Sequence, residues 1–259
     1  MRSLSPETEI LMQFLSLRLE DSLEVLQKFA GLPGAAACFD GGKDNYVYVP
    51  GNRRDRVLLV AHADTVWDRL YWDFSDEEAE KLDVQNKEHC PVLKDGIVRQ
   101  GGWDGWGLGA DDRAGCAMLW LLKDSGHSLL ITDGEERGQI GARHLMDQNP
   151  ELAEELNAHQ YMIQLDRRNG RDYKTYDLPV SGEFREFIET KTGYADAGRW
   201  SYTDIVALCT GVCGVNLSVG YYDEHQEKEY LDVEEWLNTY RIVKDLLKEE
   251  QPRFPLEPV

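Results

Sequence analysis

Three continuous apolar runs set the main constraint on the fold of this chain. They are VLLVAHAD (57–64), SLLITDG (128–134) and YMIQLD (161–166). Runs of this kind, without alternation, are typical of strands that are buried on both faces of a sheet. Helical segments such as DRAGCAMLWLLK (112–123) lie between them, and strands that alternate with helices favour parallel pairing. We therefore expect a three-layer α/β/α fold with a mostly parallel mixed central sheet.

The chain shows no internal repeat, linker or low-complexity block, and its 259 residues are enough for one large core. We therefore predict a single domain over residues 1–259. The end of the chain, QPRFPLEPV (251–259), has spaced proline residues, so we expect a loosely held tail there. A short polar helix is predicted at SDEEAEKL (75–82), and a closing helix from Val233 to about Glu249.

The chain is strongly acidic, with a formal charge of −20. A surface of this charge repels phosphate backbones and anionic lipids, so nucleic-acid and membrane partners are not expected. The five cysteines form no even framework, and the amino-terminal segment lacks the apolar core of a signal peptide. No apolar run is long enough to span a membrane. We therefore expect a cytoplasmic protein with reduced thiols.

Side chains that can bind metal ions follow the predicted strands. They are His62 and Asp64, the adjacent Glu135 and Glu136, Asp166, His225, and Asp111 at the entry to a helix. The carboxyl ends of parallel strands meet at one edge of a sheet, so we expect these groups to lie close together. Histidine and carboxylate together suit zinc or a similar divalent ion. Their number exceeds what one tetrahedral ion needs and suits two ions that share a bridging carboxylate.

The spacing within two pairs, His62 with Asp64 and Glu135 with Glu136, leads to a further expectation. Residues i and i+2 of a strand point to the same side, so Asp64 is placed to accept a hydrogen bond from the far imidazole nitrogen of His62. The neighbours Glu135 and Glu136 are expected at a strand end, where adjacent side chains diverge. One of them can then bind metal while the other stays unligated.

Five segments together resemble one protein family. In order they are HADTVWD, GLGADDRAG, TDGEERG, an Asp that ends a strand, and GYYDEHQEKEYLD. The order is similar to that of co-catalytic zinc exopeptidases, which include peptidase T, glutamate carboxypeptidases and related aminopeptidases. The resemblance covers Val57 to Leu231, with a poor match between Arg167 and Thr210. It implies a zinc-exopeptidase (phosphorylase/hydrolase-like) architecture and a catalytic domain.

The resemblance also implies roles for individual residues. Two zinc ions, for which Co²⁺ or Mn²⁺ could substitute, would be held by His62, Asp111 and Asp166 and by Asp111, Glu136 and His225. Asp111 would be the bridge, Glu135 the general base, and Asp64 the acid that orients a histidine ligand. The adjacent Asp112 is predicted to be a first-turn acid that favours the helix dipole, although the two aspartates could exchange roles.

The chain departs from the family in one respect. Many members insert a lid and dimerisation domain after the strand that carries the Asp166 equivalent, and the stretch from Asp166 to His225 is too short for it. In relatives with a lid, a lid histidine helps to hold the oxyanion. Arg199 or Tyr202 in GRWSYTD is a candidate for that role here. Arg167, directly after Asp166, is a candidate for binding a substrate carboxylate.

Water activated by two zinc ions, beside a carboxylate base, can hydrolyse a peptide bond. We therefore predict a metal-dependent exopeptidase that acts on short peptides, either an aminopeptidase or a di- or tripeptidase. One alternative is an amidohydrolase that deacylates N-acyl amino acids, and another is a single-zinc acyltransferase similar to glutaminyl cyclase. A non-enzymatic metal-binding protein would not need Glu135. The sequence leaves the oligomeric state and the preferred peptide end open.

Overall fold

The structure, a computed structural model, describes residues 4–39, 42, 44–68, 89–102 and 106–258. The helices in these ranges are α1 (Pro6–Leu15), α2 (Leu23–Ala30), α3 (Ala110–Leu122), α4 (Ile140–Gln148), α5 (Pro150–Asn157), α6 (Gly182–Thr192), α7 (Asp204–Leu208) and α8 (Val233–Leu246). The strands are β1 (Ala36–Cys38), β2 (Tyr46–Val49), β3 (Leu58–His62), β4 (Pro91–Lys94), β5 (Ile97–Gln100), β6 (Ser128–Thr132), β7 (Met162–Arg167), β8 (Asp172–Lys174), β9 (Ala195–Asp196), β10 (Gly214–Ser218), β11 (Tyr221–Tyr222) and β12 (Tyr230–Asp232).

Eight strands form the main sheet in the order β1-β2-β6-β3-β7-β10-β8-β9. The central strands β6, β3, β7 and β10 are parallel to one another, whereas β1, β2 and β8 pair antiparallel with their inner neighbours. The three continuous apolar runs are β3, β6 and β7, and β3 and β6 are buried at every residue. The predicted α/β fold with a mostly parallel mixed sheet is therefore confirmed.

The helices form two groups around this sheet. In one group α1 packs on α3, and α3 packs on β3 and β7. In the other, α4 contacts α5 and α7, and α7 contacts β7 and β10. Helix α8 spans most of the predicted closing segment but ends at Leu246. No helix in the described ranges is long and apolar enough to cross a membrane.

A second, antiparallel sheet was not predicted. Its four strands have the order β11-β12-β5-β4. The segment GVNLSVGYY (214–222) is divided between β10 in the main sheet and β11 in the second. The break is at Gly220, whose φ is +87° and whose position leaves no room for a side chain, since a Cβ would lie 2.9 Å from the Asp232 carbonyl oxygen.

The carboxyl-terminal tail is fastened to the rest of the chain, so the prediction that it is loosely held is wrong. The Cys213 nitrogen donates a hydrogen bond to the Phe254 carbonyl oxygen (2.8 Å), and the Phe254 nitrogen donates one to Gln160 (2.9 Å). The Phe254 ring lies 5.1 Å from that of Phe184. Proline spacing indicates only that a segment is not regular structure, and here backbone hydrogen bonds and one partly buried aromatic residue hold it. The helix predicted at 75–82 lies outside the described residues.

Candidate metal centre

The parallel strands β6, β3 and β7 bring their carboxyl ends to one edge of the main sheet, and the first group of predicted ligands lies there. His62 is the last residue of β3, and Asp166 lies in β7. The His62 Nε2 atom is 3.3 Å from Asp166 Oδ1 and 3.1 Å from Asp111 Oδ1. All three side chains are largely buried, so three potential ligand atoms converge on one small volume.

The second predicted group shares Asp111 with the first. The His225 Nε2 atom lies 3.1 Å from Asp111 Oδ2 and 3.1 Å from Glu136 Oε2. Each oxygen of Asp111 therefore faces a different histidine, which is the arrangement expected of a bridging carboxylate. The other Glu136 oxygen, Oε1, is buried and has no hydrogen-bond partner among the described residues.

His225 comes from a different part of the fold than the sequence indicates. It does not end a strand of the main sheet but lies in the β11–β12 connection of the second sheet, with a left-handed backbone φ of +62°. That conformation is uncommon for a residue with a side chain and is found preferentially at functional sites. The side chain is 47% exposed, whereas that of Glu136 is nearly buried.

Asp112 is close to the same centre, because it forms a compact group with His62 and Asp166. Its oxygens are already used, however: Oδ2 accepts a hydrogen bond from the His62 backbone nitrogen (3.2 Å) and Oδ1 accepts one from that of Gly115 (2.9 Å). The bond to Gly115 is a cap at the start of the regular part of α3, because Asp111 and Asp112 have non-helical backbone angles. Gly115 is needed there, since a Cβ would lie 1.9 Å from the Leu165 carbonyl oxygen. These contacts favour Asp111 over Asp112 as the bridge.

The adjacent glutamates lie in a single 3₁₀ turn, Glu135–Arg137, and not on the strand. The expectation that they diverge because they end a strand is therefore wrong, since β6 stops at Thr132 and Gly134 turns the chain with a φ of +74°. Successive side chains of a 3₁₀ turn point about 120° apart, so the two carboxylates still separate. Glu136 reaches His225, while Glu135 Oε2 lies 4.0 Å from His62 Nε2.

Asp64 connects the histidine to this turn. Its Oδ1 and Oδ2 atoms accept hydrogen bonds from the backbone nitrogens of Glu135 (3.2 Å) and Glu136 (3.3 Å). The predicted contact with His62 is long, at 3.4 Å from Nδ1 to Oδ1, and the nearer acceptor for Nδ1 is the backbone carbonyl of Asp64 itself, at 3.1 Å. Asp64 therefore orients the glutamate turn as well as the imidazole ring.

Several residues that hold the centre in place were not predicted. Asp166 Oδ2 accepts hydrogen bonds from Gln164 Nε2 (3.0 Å), Thr203 Oγ1 (2.7 Å) and Asn216 Nδ2 (3.3 Å), which leaves Oδ1 directed to His62. The sequence signal for Gln164 and Asn216 is a polar amide inside an apolar run, as in YMIQLD and GVNLSV. Glu229, in the segment GYYDEHQEKEYLD that carries the family resemblance, also holds the centre in place, and the sequence did not assign its role.

Glu229 fixes the loop that carries Asp111. Its Oε2 accepts a hydrogen bond from the Gly109 nitrogen (2.7 Å) and its Oε1 accepts one from the Asp111 nitrogen (3.2 Å). The side chain is almost completely buried, and burial, followed by the charge of Asp111, raises its pKa to about 8. Glu229 is therefore a positioning residue for the potential bridge.

The carboxylates are crowded, and this affects their protonation. Burial first, and then neighbouring carboxylates, raise the pKa of Glu135 well above its usual range and that of Glu136 to about 7. Burial opposes a charged His225, but hydrogen bonds to Asp111 and Glu136 raise its pKa to about 11. Burial also opposes an ionised Asp111, yet hydrogen bonds from His225 and His62 hold its pKa below the usual range. Divalent cations could replace these protons as the balancing positive charge.

A cavity of about 450 Å³ opens beside the centre. Its lining includes Glu135, the predicted residues Arg167 and Tyr202, and Lys174, which was not predicted. The Arg167 guanidinium is paired with Asp172 (2.5 Å from Nε to Oδ1). Tyr202 is 65% exposed, whereas the exposed Arg199 is not part of the lining. The cavity therefore gives a small molecule access to the potential base and to both ligand groups.

No protein-family model matches the sequence, and no curated protein does either. Solved structures do match. The aminopeptidase PepT of Bacillus cereus superposes with a TM-score of 0.63 over 93% of this chain and 97% of the other, at 16% identity. A tripeptidase from Staphylococcus aureus gives 0.62 over 94% and 98%, at 13% identity. An aminopeptidase from the archaeon Desulfurococcus kamchatkensis gives 0.62 over 95% of each chain, also at 13% identity.

At these identities the similarity concerns the fold. The chain has the α/β fold of these peptidases, with a mostly parallel central sheet, and the resemblance found in the sequence agrees with it. The cluster of His, Asp and Glu side chains that can hold metal lies at the carboxyl edge of the central strands.

Proposed function

We propose that the protein is a metal-dependent aminopeptidase that cleaves short peptides and binds two zinc ions. The observation that carries the proposal is the position of Asp111, with one oxygen toward His62 and the other toward His225, next to the unligated Glu135. The similarity of the fold to aminopeptidases and a tripeptidase supports it. We further propose that residues 1–259 act as one catalytic domain without a lid.

The residues fit two divalent ions. His62, Asp111 and Asp166 offer one imidazole and two carboxylates, and Asp111, Glu136 and His225 offer the same set again. Glu136 Oε1 is buried and has no hydrogen-bond partner in the part of the chain that the structure describes, which is accounted for if this carboxylate binds metal. Bound there, two zinc ions would polarise the scissile carbonyl group and make water more acidic.

Glu135 is proposed as the general base. Its carboxylate is in the lining of the cavity and is nearly buried, with 12% of the side chain exposed. It is held through its backbone by Asp64, and the raised pKa caused by burial suits a group that takes a proton and returns it. Glu135 would accept the proton of the attacking water and donate it to the leaving amine.

Tyr202 is the better candidate for the group that contacts the oxyanion. It is in the lining of the cavity, and Arg199 is not. A phenolic O–H can donate a hydrogen bond to the developing negative charge of a tetrahedral intermediate. The carboxylates around the centre favour a positively charged substrate group, which is the reason for preferring a free amino terminus over a blocked one.

The test is a digest of two matched peptide libraries, one with free and one with acetylated amino termini, by the zinc-loaded protein. We expect stepwise loss of amino-terminal residues from the free library only, detected by mass spectrometry. Glu135→Gln protein, loaded in the same way, is the control for contaminating peptidases. Release of acetate from the blocked library would indicate the deacylase instead. No cleavage of either library would reject the proposal.

A further inference from the structure

Lys174 is a buried cation in the lining of the cavity. It is the last residue of β8 and only 7% exposed. Its Nζ atom donates hydrogen bonds to the carbonyl oxygen of Trp200 and to Ser201 Oγ (3.0 Å), and it lies 5.8 Å from the centre of the Tyr176 ring. All of these partners are electrically neutral. Among the described residues, its hydrogen-bond partners therefore supply no negative charge to balance the ammonium group.

Two acids whose charge acts on Lys174 are already paired with arginine side chains. They are Asp172 and Asp196. Asp172 is paired with Arg167, and Asp196 is paired with Arg185 at 2.8 Å. Within the described part of the chain, no carboxylate forms an ion pair with Lys174.

The two arginine residues in the cavity lining, unlike Lys174, are paired with carboxylates. Arg168 is bound to Glu224 (2.6 Å) and Arg167 to Asp172. A buried ammonium group without a counter-charge costs free energy, and a protein retains such a group where a ligand supplies the missing anion. Burial, and then repulsion by Arg167 and Arg168, lower the pKa of Lys174. An anion bound beside Lys174 would raise its pKa again.

We propose that Lys174 binds a carboxylate group of the substrate and makes the enzyme selective for peptides that carry one near the cleaved bond. This inference rests on the proposed peptidase function. The anion is a peptide carboxylate, either the side chain of an amino-terminal Asp or Glu or the α-carboxylate of a di- or tripeptide.

Lys174 lines the same cavity as the candidate metal centre. The Tyr176 hydroxyl accepts a hydrogen bond from Asn216 Nδ2 (2.9 Å), and the same nitrogen donates to Asp166 Oδ2 (3.3 Å). One aromatic ring and one amide therefore separate Lys174 from Asp166. Because Lys174 and Asp166 line the same cavity, a peptide bound in it can contact both.

Lys174 also fastens the loop that carries Trp200, and this structural role must be separated from recognition. Ser201→Ala removes one of its hydrogen bonds to the loop and keeps the charge. Lys174→Arg keeps the charge and changes the geometry, whereas Lys174→Met removes the charge and retains much of the volume. Lys191→Met is the matched control, because it makes the same substitution in α6, outside the cavity lining.

The first measurement compares zinc-loaded variants on two substrate pairs. Glu-p-nitroanilide against Gln-p-nitroanilide tests the side-chain carboxylate, and Leu-Gly-Gly against its carboxyl-terminal amide tests the α-carboxylate. In the unmodified protein we expect a preference of at least about tenfold in kcat/KM for the charged member of one pair, through KM. Lys174→Met should remove this preference. Because Lys174 also holds the loop next to Tyr202, the quantity to compare is the ratio of kcat/KM between the charged and the neutral substrate, not kcat itself. Ser201→Ala and Lys191→Met should keep the preference.

The second measurement is independent of turnover. Titration calorimetry with Glu135→Gln protein should show that the charged peptide of the pair binds at least about tenfold more tightly than the neutral one, and adding Lys174→Met should equalise the two. An unchanged preference in Lys174→Met, or no preference in the unmodified protein, would overturn the inference even if peptides are cleaved. Selective binding of the charged peptide without cleavage would instead reject the peptidase and leave Lys174 as a carboxylate-binding residue. If Lys174→Met does not fold, the Lys174→Arg protein must still prefer the charged substrate.

Discussion

The backbone nitrogen of Glu135 donates a hydrogen bond to the Oδ1 atom of Asp64 at a distance of 3.2 Å. The other oxygen of the same carboxylate accepts from Glu136, and the Nδ1 atom of His62 is 3.4 Å from Oδ1. One fully buried acid therefore links the end of β3 to the turn that carries the proposed base. Its loss would disturb the base and the ligands together.

The first prediction concerns this acid. Asp64→Asn replaces one acceptor oxygen by an NH₂ group, which cannot accept from both backbone nitrogens. We expect zinc affinity to fall by about 10- to 100-fold, measured by competition with a chelator, and kcat to fall as well. Asp95→Asn, an exposed change in the β4–β5 turn, is the control. Unchanged affinity in the Asp64 variant would contradict the assigned role.

The second prediction separates the two glutamates. Glu135→Gln should keep both zinc ions and lose about 10²- to 10⁴-fold in kcat, because only proton transfer is removed. Glu136→Gln should lose zinc as well, because one of its oxygens faces His225 and the other is buried without a partner in the described ranges. Metal content by elemental analysis, beside steady-state kinetics, gives the comparison. Equal loss of zinc in both variants would show that the division of roles is wrong.

The third prediction compares the neighbouring aspartates. Asp111→Asn removes the negative charge that faces both His62 and His225, so we expect both zinc sites to weaken together. Asp112→Asn alters only a helix cap and an internal contact. It should keep the zinc and lower the free energy of unfolding by about 1 kcal/mol. The reverse pattern would make Asp112 the bridge.

The sequence placed some residues of the candidate site correctly, but it could not place His225 or Lys174. The apolar runs predicted β3, β6 and β7, and hence the edge at which His62, Asp166 and the glutamates meet, because burial on both faces leaves a clear pattern. The position of His225 could not be derived in this way, since it depends on a short antiparallel sheet of two- to four-residue strands. Lys174 in the segment DYKTYD has no distinguishing pattern at all. Its environment is created by pairing among residues far apart in the chain, which no local signal encodes.

The fourth prediction concerns pH and Asp204, the first residue of α7. Thr132 donates a hydrogen bond to its Oδ2, and burial raises its pKa to about 7. The folded protein therefore keeps a proton that the unfolded chain releases near its ordinary pKa of 3.8. This contribution to stability is complete below about pH 4 and is lost as the pH rises to about 7.

Asp204→Asn should remove that contribution. The melting temperature of metal-free protein, followed from pH 4 to 8, should decline less steeply in the variant than in the unmodified protein. Glu136 and Glu229 act in the same direction, so some decline remains, and the difference between the two curves is the quantity to compare. Asp124→Asn, an exposed change, should leave the curve unaltered. Parallel curves for Asp204→Asn would contradict the raised pKa.

The fifth prediction tests the oxyanion contact. Tyr202→Phe removes one hydroxyl group from the cavity lining and leaves an exposed ring in place. We expect kcat to fall by about 10²-fold or more while KM changes little, because a donor to the oxyanion acts in the transition state. Arg199→Gln, outside the lining, should have full activity. Full activity in Tyr202→Phe would exclude the tyrosine.

The β11–β12 hairpin carries His225, whereas the partners of this histidine, Asp111 and Glu136, belong to the segments around α3 and β6. If a metal ion is bound between these side chains, opening of the hairpin removes one of its ligands, so ion binding must oppose opening. Amide hydrogen exchange in the hairpin should then slow by the factor 1 + [ion]/Kd as the ion is added. Exchange rates at Tyr222 and Tyr230, with and without the ion, would measure how strongly the ion holds the hairpin closed.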